Sequence, residues 1–301
     1  MFRPTAEFDA LQHRTRVNTG FPSEFAAMAA QLKVEEVRIA GYAQPITLRI
    51  YRPVPHAKAL PVVLYFHGGG FVRGALADAE LTASELALRT PAVLISVGYS
   101  LAPEFPFPAA PEDAYRAARW AFVNARKWGG TPQRIGVAGH DAGANIAASL
   151  ALIVRDRGDV PIHAQALLAP LLDPSMTRIA DERKLRQADT DVSECARCYR
   201  AYLPDPAHRL HPYAAPLEST RLAGLPAAFI ASAEHDLLHV EAERYASHLI
   251  AAGVPTQVRR HKSAQHDALP TLPEVLDELS GFFRQRLGGA TVSAPLAEAS
   301  L

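Results

Sequence analysis

The sequence has little cysteine, no excess of charge of either sign and no long apolar run. Its 31 basic and 31 acidic side chains give a formal net charge of zero, so we expect no general attraction to nucleic acids or anionic membranes. No apolar run reaches the ~18 residues that a membrane-spanning helix needs. Residues 1–10 lack the continuous apolar segment of a secretory signal. These absences predict a cytoplasmic protein without a membrane span.

The arrangement of apolar segments predicts one large α/β domain. The chain has 301 residues, 49% of them hydrophobic, which is enough for a sizeable core. The first two strand-like segments alternate apolar and polar residues, whereas the later ones are continuous apolar runs typical of parallel strands covered on both faces. Helical stretches alternate with these strands. The pattern predicts a mostly parallel eight-stranded sheet with helices on both faces, with strands near 34–40, 46–52, 60–66, 92–97, 134–138, 163–170, 226–233 and 255–261.

Two helix-prone stretches fall outside this alternation, residues 1–33 and about 174–215. We expect both to cover the carboxyl edge of the sheet, so the domain itself spans 34–287 and a flexible tail spans 288–301. The two cysteines, Cys195 and Cys198, form a C-x-x-C in the second stretch. Because no second ligand pair and no thioredoxin-like context lies nearby, we predict two reduced thiols rather than a redox or metal site.

One short motif combines a familiar turn with an unexpected side chain. Gly139-His140-Asp141-Ala142-Gly143 has the G-x-S-x-G spacing of a nucleophile elbow, in which small flanking residues allow a sharp turn from strand to helix. A buried strand is predicted before it and a buried helix after it. The structural context of the elbow is therefore present, with Asp141 where the nucleophilic serine belongs.

Four motifs together resemble the hormone-sensitive-lipase family of α/β-hydrolases. They are the glycine loop His67–Phe71, the Y-x-L-A-P-E segment Tyr99–Glu104, the elbow, and an Asp236 and His266 that each follow a predicted strand. The resemblance covers about residues 35–285. It implies hydrolysis of carboxylic esters by serine, aspartate and histidine under a helical cap, without metal or cofactor. The binding partner would be a small-molecule substrate or ligand. Because members of the family often dimerise, the resemblance also implies a possible homodimer.

The resemblance assigns a role to each matching position. Asp236 is the expected acid that orients His266, the expected base, which its position favours over His235, His239 and His261. The backbone N–H groups of three residues should form the oxyanion hole, and two further residues should support the glycine loop. The oxyanion-hole residues are Gly69, Gly70 and Ala142, and the supporting residues are His67 and Gly68.

This chain departs from the family pattern at both ends of the catalytic machinery. The family has G-D-S-A-G-G at the elbow, where this chain has His140, Asp141 and Ala144. The family also has H-G-F around the histidine, where this chain has Asp267 after His266. Asp267 adds a carboxylate that either competes for His266 or faces solvent.

An aspartate at the elbow favours different chemistry from a serine. At a helix N-terminus beside glycine amides, Asp141 should already be ionised. Its attack on an ester carbonyl would form an anhydride while expelling an alkoxide, and the ~10-unit pKa difference between the conjugate acids costs over ~13 kcal/mol. Attack on an alkyl carbon of an epoxide or alkyl halide instead leaves an aspartyl ester. His266 can then activate water to hydrolyse that ester, an arrangement similar to that of epoxide hydrolases and haloalkane dehalogenases.

Three hypotheses therefore stay open. The first is an Asp141-dependent hydrolase of a small apolar substrate, with a cap tyrosine (Tyr199, Tyr202 or Tyr213) as leaving-group donor unless it only packs the cap. The second is a non-catalytic binding protein, as the plant gibberellin receptors illustrate for this fold. The third is ester hydrolysis with Asp141 as a base or in place of serine. Four apolar residues either line a pocket or pack the core: Phe21, Phe25, Phe71 and Leu203.

Overall fold

The computed structural model describes residues 14–16, 26–55, 59–177 and 190–288. Within these ranges one sheet has nine strands in the order β1-β2-β3-β5-β4-β6-β7-β8-β9. The strands are β1 (Arg14–Arg16), β2 (Leu32–Ala40), β3 (Pro45–Pro53), β4 (Leu60–Phe66), β5 (Val93–Gly98), β6 (Gly130–His140), β7 (Ala164–Leu168), β8 (Ala227–Ala233) and β9 (Thr256–His261).

The sheet confirms the predicted class and extends it by one strand. Strands β2 and β3 pair antiparallel, as do β3 and β5, and all pairs from β5 through β9 are parallel. All eight predicted strands are present. The additional β1 pairs antiparallel with β2, with Arg14 opposite Val37. It lies in segment 1–33, for which the sequence predicts a cap and not a strand.

Burial along the strands follows the sequence pattern. Every residue of β4 is buried, as expected for a central parallel strand covered on both faces. In β3 the exposure alternates over most of the strand, as expected for a strand with one wetter face. The periodicity of the apolar residues therefore places the core correctly on the sheet.

Seven α-helices are present in the described ranges. They are α1 (Ala26–Ala29), α2 (Glu80–Arg89), α3 (Ala109–Asn124), α4 (Ala142–Arg157), α5 (Val192–Tyr202), α6 (His239–Ala251) and α7 (Pro273–Leu287), and short 3-10 helices occupy Leu76–Ala79, Ala125–Trp128, Pro206–Leu210, Pro216–Glu218 and Leu269–Thr271. Helices α3, α4 and α6 pack on one face of the sheet and α2 and α7 on the other. Across these same ranges, no helix has the length and apolar character to cross a membrane.

Helix α5 belongs to the segment 174–215 that was predicted to cover the sheet edge. Its Tyr202 ring stacks on Phe71 of the glycine loop, with centroids 3.9 Å apart and planes 3° apart. Cys195 and Cys198 are buried free thiols on this helix. Residues 178–189 of the segment, most of the predicted N-terminal cap and residues 289–301 of the predicted tail lie outside the described residues.

Candidate active site

The turn between β6 and α4 has the geometry of a nucleophile elbow. Asp141 has φ 55° and ψ −120°, a left-handed conformation that side-chain-bearing residues rarely adopt. A Cβ on Gly139 would lie 2.2 Å from the Gly143 carbonyl oxygen, and a Cβ on Gly143 would lie 2.1 Å from the Phe66 carbonyl oxygen. Glycine is therefore required at both positions, and the turn presents Asp141 at the carboxyl edge of the sheet.

We expect Gly143→Ala to lower the free energy of unfolding by more than about 3 kcal/mol, because its methyl group would overlap backbone atoms that cannot move independently. Urea titration at neutral pH measures this loss. Gly281→Ala in α7 is the matched control, since its Cβ would meet only the Arg284 side chain at 3.8 Å. A helical alanine there should stabilise by up to about 1 kcal/mol, and equal effects of the two changes would contradict the packing argument.

The glycine loop after β4 directs two backbone N–H groups at Asp141. The amides of Gly69 and Gly70 donate hydrogen bonds to Asp141 Oδ2 at 2.9 and 2.8 Å. Both glycines have positive φ, 116° and 60°, which aims consecutive amides to one side of the loop. Ala142, the expected third donor, is the first residue of α4 and is buried directly behind Asp141.

His67 supports this loop from below. Its Nδ1 donates to the Gly68 carbonyl at 2.7 Å, and its ring stacks on Tyr99 with centroids 4.3 Å apart. The Tyr99 hydroxyl in turn donates to the His67 carbonyl at 2.8 Å. Burial lowers the pKa of His67, which favours the neutral imidazole, and its contacts are those of a packing and hydrogen-bonding group.

Asp236 and His266 meet at the same edge. Asp236 Oδ2 lies 2.8 Å from His266 Nδ1, while Asp236 Oδ1 accepts hydrogen bonds from the Leu238 amide and the Thr190 hydroxyl. The other ring nitrogen, His266 Nε2, lies 3.9 Å from Asp141 Oδ1. The structure thus brings together all three residues that the sequence predicts as catalytic, with the imidazole between two carboxylates.

The two oxygens of Asp141 have different surroundings. Oδ2 occupies the place between the glycine amides, and Oδ1 faces His266. The residue is 8% exposed and lines a cavity of about 680 Å³. Most of the described wall is polar, including Arg73, Asp191 and Glu194, and neither Phe71 nor Leu203 lines it. Phe71 and Leu203 are core residues, and Phe21 and Phe25 lie outside the described residues.

The electrostatics of the site favour an ionised Asp141 beside a protonated His266. Burial works against the charge of Asp141, but His266, His140 and the two glycine amides lower the pKa of this carboxyl. Burial alone would lower the pKa of His266. Its hydrogen bond to Asp236 and the charges of Asp236, Asp141 and Asp267 outweigh burial and raise that pKa to about 9.

This raised pKa predicts how stability depends on pH. A histidine whose pKa is higher in the folded than in the unfolded chain stabilises fully below its ordinary value of 6.5, and this stabilisation is lost as pH rises through about 9. For this change the loss is about 3 kcal/mol. Urea titrations at pH 6 and 9.5, compared between the parent chain and His266→Gln, isolate the contribution. The variant should lose less stability over that range, and parallel curves would contradict the assignment.

None of the three candidate tyrosines is among the described residues that line the cavity. The Tyr213 hydroxyl donates to Asp156 at 2.9 Å, and the Tyr202 ring is stacked in the core. Among the described residues the Tyr199 hydroxyl is buried and has no hydrogen-bond partner, and Tyr199 does not line the described wall. The expected leaving-group donor is therefore not identified among them.

Asp267 is exposed, and Asp236 rather than Asp267 makes the hydrogen bond to His266 Nδ1.

Sequence reasoning did not assign His140 to the site. It lines the cavity, and its Nε2 lies 3.1 Å from the His266 carbonyl oxygen. The sequence does mark this position, because His140 replaces the aspartate that the family motif carries before the nucleophile. An elbow, an oxyanion loop and an acid–base pair around one cavity are the working parts of a hydrolase.

Comparison with known proteins gives the same class. The family model described as alpha/beta hydrolase fold matches residues 63–270. Esterase LipI of Mycobacterium tuberculosis is 41% identical over 241 residues, covering 78% of this chain and 75% of that protein. Carboxylesterase NlhH of the same organism is 39% identical over 246 residues, with 78% and 75% covered. The solved esterase of the archaeon Pyrobaculum calidifontis superposes with a TM-score of 0.79 at 34% identity, covering 87% of each chain.

The chain belongs to the α/β-hydrolase fold family. Its resemblance to the hormone-sensitive-lipase type within that family, its fold class and its assignment as a hydrolase are thereby confirmed.

Proposed function

We propose that this hydrolase acts on small molecules at a saturated carbon, with Asp141 as the nucleophile and His266 as the base that activates water. Asp236 orients His266. The division of the Asp141 carboxylate carries this proposal: Oδ2 is held by the Gly69 and Gly70 amides while Oδ1 faces His266. The relatives named as esterases support the hydrolase class.

The occupied glycine amides argue against direct hydrolysis of an ester. A carbonyl substrate needs these N–H groups for its developing oxyanion, and Asp141 Oδ2 already accepts both of them. Attack by Oδ1 on an alkyl carbon leaves Oδ2 in place as the carbonyl oxygen of the resulting ester. When water then adds to Cγ of Asp141, the negative charge develops on Oδ2, beside donors that need not move.

The reaction balances as two displacements. An Oδ1 lone pair forms the new oxygen–carbon bond while the leaving group departs with the electrons of the broken bond. Esterification removes the charge of Asp141 and so lowers the pKa of His266, which releases its proton. Neutral His266 then takes a proton from water as the water adds to Cγ, and returns it to the departing alcohol. The Cγ–Oδ1 bond breaks, so the alcohol keeps the old Oδ1 and Asp141 keeps the oxygen from water. The remaining proton on that oxygen passes to His266, which restores the ionised Asp141 beside a protonated imidazole.

The described cavity suits a leaving group that departs as an anion. Its wall carries Arg73 and no tyrosine in the described ranges, so a halide, which needs no proton, is favoured over an epoxide oxygen. Arg73 donates to Glu194 at 2.8 Å, and its side chain is otherwise largely exposed.

A panel of 1-bromoalkanes and styrene oxide tests the proposal. We expect halide release or diol formation by the parent chain and loss of at least about 10³-fold in Asp141→Asn, whose amide is a poor nucleophile. Asp141→Asn is a conservative change, because its side-chain oxygen can still accept hydrogen bonds from the Gly69 and Gly70 amides. Turnover that survives in Asp141→Asn would contradict a nucleophilic Asp141.

A non-catalytic small-molecule-binding protein is the second candidate. The observation that favours it is the closed electrostatic pairing of Asp141 with its own oxyanion-hole amides and with His266. Tight binding of a small molecule by the parent chain, without turnover of any bromoalkane, epoxide or ester, would favour this candidate over the hydrolase.

A further inference from the structure

His140 lies at the end of β6, immediately before the elbow, and contacts both halves of the site. It is 8% exposed and lines the cavity. Its Nδ1 would lie 2.8 Å from a Cβ on Gly68, so its ring is against the oxyanion loop. Its ring centroid is 4.7 Å from that of His266, with the planes tilted by 44°. The imidazole therefore fills the space between the oxyanion loop and the catalytic base.

The hydrogen bond made by His140 fixes its tautomer. Nε2 lies 3.1 Å from the His266 carbonyl oxygen, which can only accept, so Nε2 carries the proton. In the neutral ring, Nδ1 is then an acceptor, and the described residues give it no hydrogen-bond partner. This hydrogen bond connects the backbone of His266 to the end of β6, the strand that precedes Asp141.

Burial and the charge of His266 keep His140 neutral. Burial and the positive charge of His266 lower the pKa of His140 to about 4, against the opposing effect of Asp141 and Asp267. The pKa of His266, with Asp236 hydrogen-bonded to its other side, is about 9. Between these values the pair carries one positive charge, which is located on His266. An aspartate at position 140 would carry no proton with which to bind the His266 carbonyl.

We propose that His140 is a positioning residue: its Nε2–H holds the His266 carbonyl so that the His266 ring faces Asp141 Oδ1 while remaining bonded to Asp236. This inference concerns the site of the proposed function and depends on His266 acting there as a base. It does not depend on whether position 141 attacks an alkyl carbon.

Histidine NMR on the resting protein tests the arrangement without a substrate. We expect ¹⁵N shifts of His140 typical of a neutral ring protonated at Nε2, unchanged across neutral pH, and a His266 that titrates near 9. In His140→Ala, the loosened His266 should titrate at least about one pH unit lower, while His140→Gln, which keeps an N–H donor, should restore the parent midpoint. A His140 that titrates near 6.5, or an alanine variant with an unchanged His266, would overturn the proposal.

A kinetic test uses the serine background, in which Asp141 is absent. In Asp141→Ser, adding His140→Ala should lower kcat for p-nitrophenyl acetate about tenfold with little change in KM. The reason is that the change shifts the position of His266, whereas the residues that bind the substrate stay in place. Adding His140→Gln instead should recover most of the loss. Equal activity of the alanine and glutamine variants would contradict positioning through Nε2–H. If only bromoalkane turnover fails, the proposed attack on an alkyl carbon is contradicted, whereas the positioning role of His140 is not.

Discussion

Asp141→Ser should convert this chain into an esterase, with hydrolysis of p-nitrophenyl acetate rising by about 10³-fold or more over the parent chain. The substitution does two things at once. It supplies a hydroxyl beside His266 Nε2, and it removes the Oδ2 that occupies the Gly69 and Gly70 amides. The Asp236–His266 hydrogen bond at 2.8 Å is already in place to support proton transfer. Initial rates at pH 8 measure the gain.

Asp141→Ala separates the two effects. It frees the glycine amides without providing a nucleophile, so we expect its rate with the same ester to stay within about tenfold of the parent chain, since an oxyanion hole alone contributes far less than the complete triad. A serine variant no faster than the alanine variant would show that the cavity does not hold an ester in reach of position 141. Circular dichroism of both variants confirms that the fold is retained.

His266→Gln should stop the proposed reaction after its first step. Alkylation needs only the ionised Asp141, whereas hydrolysis of the aspartyl ester needs a base for water. We expect one bromide released per chain, followed by turnover slowed by about 10² to 10⁴-fold, and a stable mass increase equal to the alkyl group. Intact-protein mass spectrometry after mixing with 1-bromobutane measures the adduct, and peptide mapping assigns it to Asp141.

The matched control is Asp236→Asn, which leaves His266 in place without its orienting carboxylate. We expect it to slow hydrolysis less than His266→Gln does and to accumulate less adduct at steady state. An unmodified His266→Gln chain that still releases bromide catalytically would contradict a covalent intermediate hydrolysed by His266.

Much of this molecule could be predicted from its residues, because its main determinants are local. Period-two alternation in β2 and β3 and the continuous apolar run of β4 placed the strands, and the flanking glycines of Asp141 placed the elbow. The order of elbow, Asp236 and His266 brought the candidate catalytic residues to one sheet edge, since parallel strands end on the same side. Each of these inferences needs only the residues of a short segment and a general rule, such as strand periodicity or the common end of parallel strands.

What could not be predicted depends on distances between segments far apart in sequence. Whether Asp141 turns an oxygen toward the glycine amides is decided by a contact between residues 72 positions apart. The role of His140 requires the position of a carbonyl 126 residues away. The polar cavity wall and the packing of Tyr202 on Phe71 likewise depend on how α5 is seated over the loop. No periodicity or motif spacing encodes those relations.

Oxygen transfer from solvent into Asp141 tests the central claim most directly. The parent chain is allowed repeated turnovers of 1-bromobutane in H₂¹⁸O, and the peptide that carries the elbow is analysed by tandem mass spectrometry. The account predicts ¹⁸O in the Asp141 carboxylate, with the first equivalent of alcohol carrying ¹⁶O from the protein. Turnover that places ¹⁸O in the alcohol from the first cycle and leaves Asp141 unlabelled would contradict it.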